Sequence, residues 1–156
     1  MDYSLLCRQL EALSESVRSR ISILSNASAL LFQSLPDLNW AGFYLVHDRT
    51  LLLAPFQGRP ACTEIPYGKG VCGQSWAQDR TLRVPDVHAF PGHIACDGAS
   101  RSEIVVPLRI DGKIIGVLDL DSPVPDRFSK EDQAGLEDFC RALENCLYRT
   151  ELLGSD

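Results

Sequence analysis

Two strand-forming runs joined by a two-residue turn decide the fold. They are residues 103–110 (EIVVPLRI) and 113–121 (KIIGVLDLD), with Asp111 and Gly112 between them. An Asp-Gly pair between alternating or continuous apolar runs is a strong signal for a β-hairpin. The sequence therefore predicts two long antiparallel strands in the second half of the chain.

An earlier part of the chain predicts a second hairpin. Residues 39–46 (NWAGFYLV) are rich in aromatic and branched side chains, which favour a strand. Residues 47–50 (HDRT) then form a turn into a strand over residues 51–56 (LLLAPF). Between the two hairpins we predict a glycine-punctuated loop over residues 65–73, a short helix over 74–78 and a short strand over 81–84.

Both ends of the chain predict helices. Near the N-terminus, apolar residues recur at helical spacing, with an interruption expected at Ser14 or Ser16. This stripe consists of Leu6, Leu10, Leu13, Val17, Ile21, Leu24 and Leu31. Near the C-terminus, Ser129 followed by Glu131 and Asp132 has the form of a helix N-cap with an acidic first turn. The N-terminal stripe could pack on the domain, pair with the last helix or form a dimer seam.

Together these elements predict one α+β domain over residues 1–156. Its helices are expected at about 4–34 and 129–152, and its sheet and active-site loops at about 39–122. We expect a central antiparallel sheet packed against the terminal helices. The functional loops would then lie on the opposite face of the sheet.

Composition excludes several classes of partner. The 156 residues include 15 basic and 21 acidic ones, which leaves a net charge of −6 and no basic run to follow a phosphate backbone. Nucleic acid is therefore not expected as a partner. No apolar segment approaches the roughly 20 residues that cross a bilayer, and the N-terminus lacks a basic region followed by an apolar run. We expect no membrane association and a cytoplasmic location.

The six cysteines favour thiol chemistry. Without an export signal, a structural disulfide framework is not expected. The gaps that separate Cys62, Cys72 and Cys96 are too wide for a zinc knuckle, so no metal site is predicted. Cys96 lies near His93 and Asp97 in a predicted loop, and Cys72 lies among glycines, so both are expected to be accessible thiols. His93 could activate Cys96 or simply satisfy loop backbone, whereas Cys7, Cys140 and Cys146 are assigned no role.

Three carboxylates and two aromatic residues form the other candidate group. Asp119 and Asp121 project from one face of a strand, and Glu103, at the start of the neighbouring strand, could complete an acidic cluster. A ligand ammonium group would neutralise such a cluster, although two solvated carboxylates at a strand end are the simpler alternative. Trp40 and Tyr44 share a strand face and could wall a pocket or belong to the core.

The motifs of this central region resemble those of the free methionine-(R)-sulfoxide reductases, which are GAF-domain enzymes that act on the free amino acid. The resemblance covers nearly all of residues 39–132. The matching strings are PFQG (55–58), AC (61–62), IP (65–66), GKGVCG (68–73), DVH (86–88), FPGHIACD (90–97), SEIV (102–105) and IGVLDLDS (115–122).

This resemblance implies catalytic roles for three cysteines. Cys96 would be the attacking thiol, Cys62 the resolving thiol that forms a disulfide with it, and Cys72 a third redox-capable cysteine. The choice between Cys62 and Cys72 as the resolving thiol stays open. The resemblance also implies thioredoxin as the external reductant. Because no metal, flavin or nicotinamide motif appears in the sequence, no tightly bound cofactor is expected.

It further implies how the substrate is held. Glu103, Asp119 and Asp121 would bind the substrate amino group and assist at the sulfoxide. Trp40 and Tyr44 would line the pocket for the methyl end. A carboxylic acid, either Glu103 or Asp121, would protonate the departing oxygen.

Two other functions remain open from the sequence. One is a GAF-type sensor that binds a small amine-bearing ligand or a cyclic nucleotide without turnover, although an acidic site does not suit a phosphate. The other is a dimerisation module built on the N-terminal helix, a role compatible with catalysis. A homodimer is therefore a further expectation.

Overall fold

The computed structural model describes residues 1–152 and places a six-stranded antiparallel sheet at the centre of the domain. The strand order is β3-β2-β1-β6-β5-β4. In chain order the elements are α1 (Tyr3–Ser14), α2 (Arg20–Ser34), β1 (Trp40–His47), β2 (Thr50–Gly58), β3 (Glu64–Pro66), α3 (Gly70–Gln78), β4 (Leu82–Val84), β5 (Ser102–Ile110), β6 (Lys113–Ser122) and α4 (Lys130–Leu152). The predicted α+β fold is confirmed.

The hairpin of β5 and β6 forms where the sequence predicts it. Asp111 and Gly112 have φ angles of 54° and 75°, so both turn residues adopt the left-handed conformation that a tight two-residue hairpin loop requires. Residue pairing runs from Ile110 opposite Lys113 to Ser102 opposite Ser122, with a one-residue register shift between Leu108 and Arg109.

Three helices cover one face of the sheet and create the main core. Alternate residues of β1, β5 and β6 point toward α1, α2 and α4, as the two-residue period of a strand dictates. They are Ala41, Phe43, Ile104, Val106, Leu118 and Leu120. The start of α4 is capped reciprocally, because Asp132 N donates to Ser129 Oγ and Ser129 N donates to Asp132 Oδ2, each at 3.0 Å. The predicted N-cap is therefore confirmed.

The N-terminal stripe is only partly buried. The helical region is interrupted after Ser14, where Ser16 has a positive φ of 59°, so α1 and α2 have independent orientations. Leu6 and Leu10 are buried in the core, whereas Leu13 and Ile21 remain 47% and 69% exposed. The interruption predicted at Ser14 or Ser16 is therefore confirmed, whereas Leu13 and Ile21 of the predicted stripe are not buried. Within the monomer, α1 pairs with α4, which is one of the three arrangements expected from the stripe.

The opposite face of the sheet carries α3 and the long loops. Trp40, Tyr44, Val105 and Val117 point to this side and form a second, smaller apolar cluster with residues of α3. The short helix begins at Gly70 rather than at the predicted residue 74. Gly70 has a φ of 61°, which lets the chain turn directly from Lys69 into the helix. No helix within the described residues has both the length and the hydrophobicity to cross a bilayer.

Candidate active site

Register across three strands brings the predicted acidic residues together. Asp121 on β6 pairs with Trp40 on β1 and with Glu103 on β5, so these three residues form a row on the face away from the helices. Asp119 lies two residues earlier on β6 and therefore points to the same side. The alternation of side chains along neighbouring strands is what assembles the cluster.

The acidic residues form the floor of a cavity between the sheet, α3 and the loops. The cavity has about 510 Å³ of atom-free space, a volume that includes open solvent at its mouth. Its lining includes Trp40, Tyr44, Ala61, Ile65, Gly70, Val71, Cys72, His93, Ile94, Cys96, Asp97, Ser100, Glu103, Asp119 and Asp121. Apolar and aromatic groups thus surround a carboxylate floor, with Cys96 among the lining residues.

The three carboxyl groups are buried rather than solvated. Glu103, Asp119 and Asp121 are 6%, 6% and 9% exposed, so the alternative of two solvated carboxylates is wrong. Burial raises the pKa of Glu103 well above its ordinary value, and the neighbouring Asp119 and Asp121 raise it further by charge repulsion. Burial, together with the charge of Asp119, also raises the pKa of Asp121 well above its ordinary value.

Asp119 differs from the other two carboxyl groups. Burial raises its pKa, but interactions with Glu103, Cys72 and Asp121 act in the opposite direction. Its Oδ1 atom is buried and accepts no hydrogen bond from any group in residues 1–152. Because an unpaired buried oxygen is costly, a cationic donor entering the cavity would be stabilised at this atom.

A disulfide joins Cys62 and Cys96 at the cavity. The two residues are 34 positions apart in the sequence, and their Cα atoms are 5.5 Å apart. Cys62 follows β2, whereas Cys96 belongs to the long segment that precedes β5. Both residues are partly exposed. The structure thus brings together two of the three predicted redox cysteines.

Cys72 is not the accessible thiol that the sequence predicts. It lies on α3 and is only 3% exposed. Burial raises the pKa of its thiol well above the ordinary value, and the nearby charges of Asp119 and Glu103 add to this effect. The neighbouring glycines mark the start of a packed helix, not an open loop, and this explains the error. Cys72 lines the cavity as a protonated thiol.

His93 also lines the cavity. Partial burial lowers its pKa, with a smaller contribution from His88, so the imidazole is neutral at physiological pH. A neutral imidazole does not stabilise a thiolate as an ion pair would. The structure therefore gives no electrostatic support to His93 as an activator of Cys96.

Three hydrogen bonds from β1 and the residue before it hold the segments that carry the cysteines. Tyr44 Oη donates to the carbonyl oxygen of Cys62 at 2.9 Å, and Trp40 Nε1 donates to that of Arg59 at 3.1 Å. Asn39 Nδ2 donates to Asp97 Oδ2 at 3.1 Å, next to Cys96. Sequence patterns do not identify Asn39 because its contact spans 58 residues and no local spacing signals it.

Cys72, Glu103 and Asp119 are the described residues best placed to hold a metal ion. One potential ligand atom from each lies within 4.8 Å of the other two. The two carboxylates are the same groups that would receive an ammonium group. A metal ion and an amine would therefore compete for the same oxygen atoms.

Comparisons with known proteins place this geometry in a family. The sequence matches the GAF domain family over residues 9–147. Protein YtsP of Bacillus subtilis (strain 168) is 56% identical over 148 residues, which cover 94% of this chain and 91% of that protein. The free methionine-R-sulfoxide reductase of Escherichia coli (strain K12) is 52% identical over 149 residues, which cover 96% of this chain and 90% of that enzyme.

A solved structure adds a match in three dimensions. Free methionine-R-sulfoxide reductase from Neisseria meningitidis, in complex with its substrate, has a TM-score of 0.92 and 43% sequence identity, covering 96% of this chain and 90% of that chain. The resemblance expected from the motifs is therefore confirmed over nearly the whole chain. This chain is a GAF-domain protein of the free methionine-R-sulfoxide reductase family.

Proposed function

We propose that this protein reduces free L-methionine (R)-S-oxide to L-methionine, with Cys96 as the attacking thiol. The observation that carries the proposal is the Cys62–Cys96 disulfide beside a cavity whose floor is made of three buried carboxyl groups. A disulfide at this place is the product expected after one cycle of thiol-based sulfoxide reduction. The names of the E. coli and N. meningitidis relatives support the same reaction.

Substrate binding would depend on the acidic floor. The substrate ammonium group would lie against Asp119, whose Oδ1 atom has no donor among the described residues. Trp40 and Tyr44 are both 2% exposed and line the cavity, so they offer an apolar surface for the methyl end of the side chain. An acidic floor disfavours a phosphate-bearing ligand such as a cyclic nucleotide.

The first chemical step would transfer oxygen from substrate to enzyme. The Cys96 thiolate forms a bond to the sulfoxide sulfur while a proton reaches the sulfoxide oxygen. The resulting hydroxyl group then moves to the Cys96 sulfur as the bond between the two sulfur atoms breaks, with its electron pair left on the methionine sulfur. The products are methionine and a Cys96 sulfenic acid. Glu103 and Asp121 suit the role of proton donor because burial raises their pKa values well above the ordinary ones and so favours the protonated form.

The second step would form the disulfide. The Cys62 thiol attacks the sulfur of the Cys96 sulfenic acid, the sulfur–oxygen bond breaks, and water leaves. Cys62 is favoured over Cys72 as the resolving thiol, because it is bonded to Cys96 and the Cys72 thiol is buried and protonated. Cys72 would then form part of the cavity wall. It would take part in the redox reaction only if Cys62 were absent.

An external dithiol must regenerate the thiols. We propose thioredoxin, since both disulfide residues are partly exposed and no flavin or nicotinamide motif occurs in the sequence. A cytoplasmic location fits the same chemistry, because a reducing compartment returns the disulfide to two thiols. A homodimer also remains a prediction, and the N-terminal helices expose three large apolar residues that it could cover, Leu5, Leu13 and Ile21.

Methionine release from resolved epimers tests the proposed function. The reduced protein is incubated with free methionine R-sulfoxide or S-sulfoxide and dithiothreitol, and methionine is quantified by chromatography. We expect turnover of the R epimer alone. A folded, fully reduced protein that releases methionine from neither epimer would rule the reductase function out and favour a ligand-binding GAF sensor.

A further inference from the structure

We propose that Tyr44 is a positioning residue for disulfide closure, in addition to its place in the cavity wall. Its hydroxyl holds the backbone of Cys62 at the place where the Cys96 sulfenic acid forms. This inference rests on the proposed function and assigns Tyr44 to the second step of that reaction. Loss of the hydroxyl would slow closure of the disulfide more than it slows reduction of the sulfoxide.

Packing around the Tyr44 ring fixes the direction in which its hydroxyl group points. The side chain is 2% exposed, and its ring stacks on Trp40 with 5.9 Å between centroids. Trp40 in turn stacks on Phe56 of β2 at 5.1 Å. Packed on these aromatic neighbours, Tyr44 presents its Oη atom to the Cys62 carbonyl oxygen at 2.9 Å. Burial raises the pKa of the Tyr44 phenol, so the hydroxyl keeps the proton that it donates.

The segment that carries Cys62 is attached to β1 at two points. Trp40 Nε1 donates to the Arg59 carbonyl at 3.1 Å, and Tyr44 holds the Cys62 carbonyl three residues later. Between these points the backbone belongs to no helix or strand and lacks regular pairing of its own. The two aromatic side chains therefore supply the anchors that regular secondary structure would otherwise provide.

The segment that carries Cys96 is held by Asn39, the residue before β1. Asn39 Nδ2 donates to Asp97 Oδ2 and to Ser100 Oγ, both at 3.1 Å. Asn39 immediately precedes β1. The segments that carry Cys62 and Cys96 are therefore both held by hydrogen bonds from β1 or from the residue next to it. A shared anchor of this kind raises the effective concentration of one sulfur atom at the other.

The hydroxyl acts on closure more than on oxygen transfer. In the closing step the Cys62 sulfur attacks the Cys96 sulfur, hydroxide leaves, and the thiol proton completes the water molecule. This step needs no further oxidant, because the sulfoxide has already oxidised Cys96 to the sulfenic acid. Tyr44→Phe keeps the ring that faces the substrate and removes only the donor to Cys62. Closure should therefore slow more than methionine formation, and the lifetime of the sulfenic acid should increase.

A single-turnover experiment separates the two steps. Reduced protein is mixed with one equivalent of free methionine R-sulfoxide without reductant and quenched at intervals. Methionine is measured by chromatography, the Cys62–Cys96 disulfide by peptide mass spectrometry, and the sulfenic acid by trapping with a cyclic 1,3-diketone. For Tyr44→Phe we expect disulfide closure to slow about three- to tenfold relative to methionine formation, with more trapped sulfenic acid, in line with the loss of one buried hydrogen bond.

Tyr67→Phe is the matched control. Tyr67 contacts Trp76 edge to face and lies under Arg49, and it is not among the residues that line the cavity. Its substitution should leave both rates unchanged. The inference is overturned if Tyr44→Phe closes the disulfide as fast as the wild type, or if methionine formation slows in parallel with closure. Failure of the proposed function looks different, because the wild type itself would then produce no methionine.

Discussion

Glu103 and Asp121 lie directly opposite one another on β5 and β6, and both are buried. Like charges in directly opposed positions of a sheet destabilise it, and burial makes ionisation more costly. The pair therefore favours protonation until a cation enters the cavity. This gives the site a proton to donate and a reason to select a substrate with an ammonium group.

The pair should make the ligand-free protein less stable as pH rises. In the unfolded chain, Glu103 and Asp121 lose their protons near their ordinary values of 4.5 and 3.8, whereas in the folded protein their pKa values are raised well above these. Above the ordinary values the folded state therefore binds more protons, and the free energy of unfolding falls with increasing pH by at most about 1.4 kcal/mol per pH unit for each group.

Urea unfolding at intervals between about pH 5 and pH 8 measures this slope. The disulfide state must be the same at every pH. We expect Glu103→Gln to reduce the decline, because glutamine stays neutral in both folded and unfolded states. An identical slope in the variant and the wild type would contradict protonation of this pair.

Asp119→Asn should weaken substrate binding more than it slows chemistry. Asp119 Oδ1 is buried without a donor among the described residues, and an ammonium group would form a charge-assisted hydrogen bond with it. Loss of such a bond corresponds to an increase of about ten- to hundredfold in KM. Steady-state kinetics with free methionine R-sulfoxide provides the measurement.

Asp111→Asn is a matched control for that substitution. Asp111 lies in the exposed β5–β6 turn, and asparagine also tolerates its positive φ of 54°. The control should keep the KM of the wild type. Equal KM values for Asp119→Asn and the wild type would mean that the amino group binds elsewhere.

Blocking the substrate amino group should abolish activity. N-acetylmethionine R-sulfoxide has an amide in place of the ammonium group. Asp119 Oδ1 would then stay buried without a cationic donor. Sites that lose a buried polar partner discriminate strongly, and we expect kcat/KM to fall by at least about a thousandfold. Comparable turnover of the acetylated and free substrates would show that the acidic cluster does not select the free amino acid.

Sequence patterns predict the parts of the fold that depend on local rules. The Asp111-Gly112 turn, the alternation along β6 and the Ser129 cap all follow from the conformations available to a few neighbouring residues. The same alternation predicts that Asp119 and Asp121 share one face of their strand. The position of Glu103 directly opposite Asp121 also depends on the register shift between Leu108 and Arg109, which the turn sequence does not signal.

Other features depend on contacts between distant segments. Burial of Cys72 follows from packing of α3 on the sheet, and the short β3 pairs with β2 without a long strand pattern of its own. The hydrogen bonds of Asn39 and Tyr44 connect positions 58 and 18 residues apart. The Cys62–Cys96 pairing is implied by the family resemblance, whereas cysteine spacing alone leaves the resolving thiol undecided.

The most direct test of the account compares Cys96→Ser with Cys7→Ser. Both variants are reduced, checked for folding and incubated with free methionine R-sulfoxide and dithiothreitol, and methionine is measured over time. Cys7 is a free thiol on α1, among the residues packed on the helical core, so its serine variant should retain wild-type turnover. Cys96→Ser should release no methionine above the rate without protein. Turnover by folded Cys96→Ser at a rate close to that of Cys7→Ser would contradict the central claim that Cys96 attacks the sulfoxide.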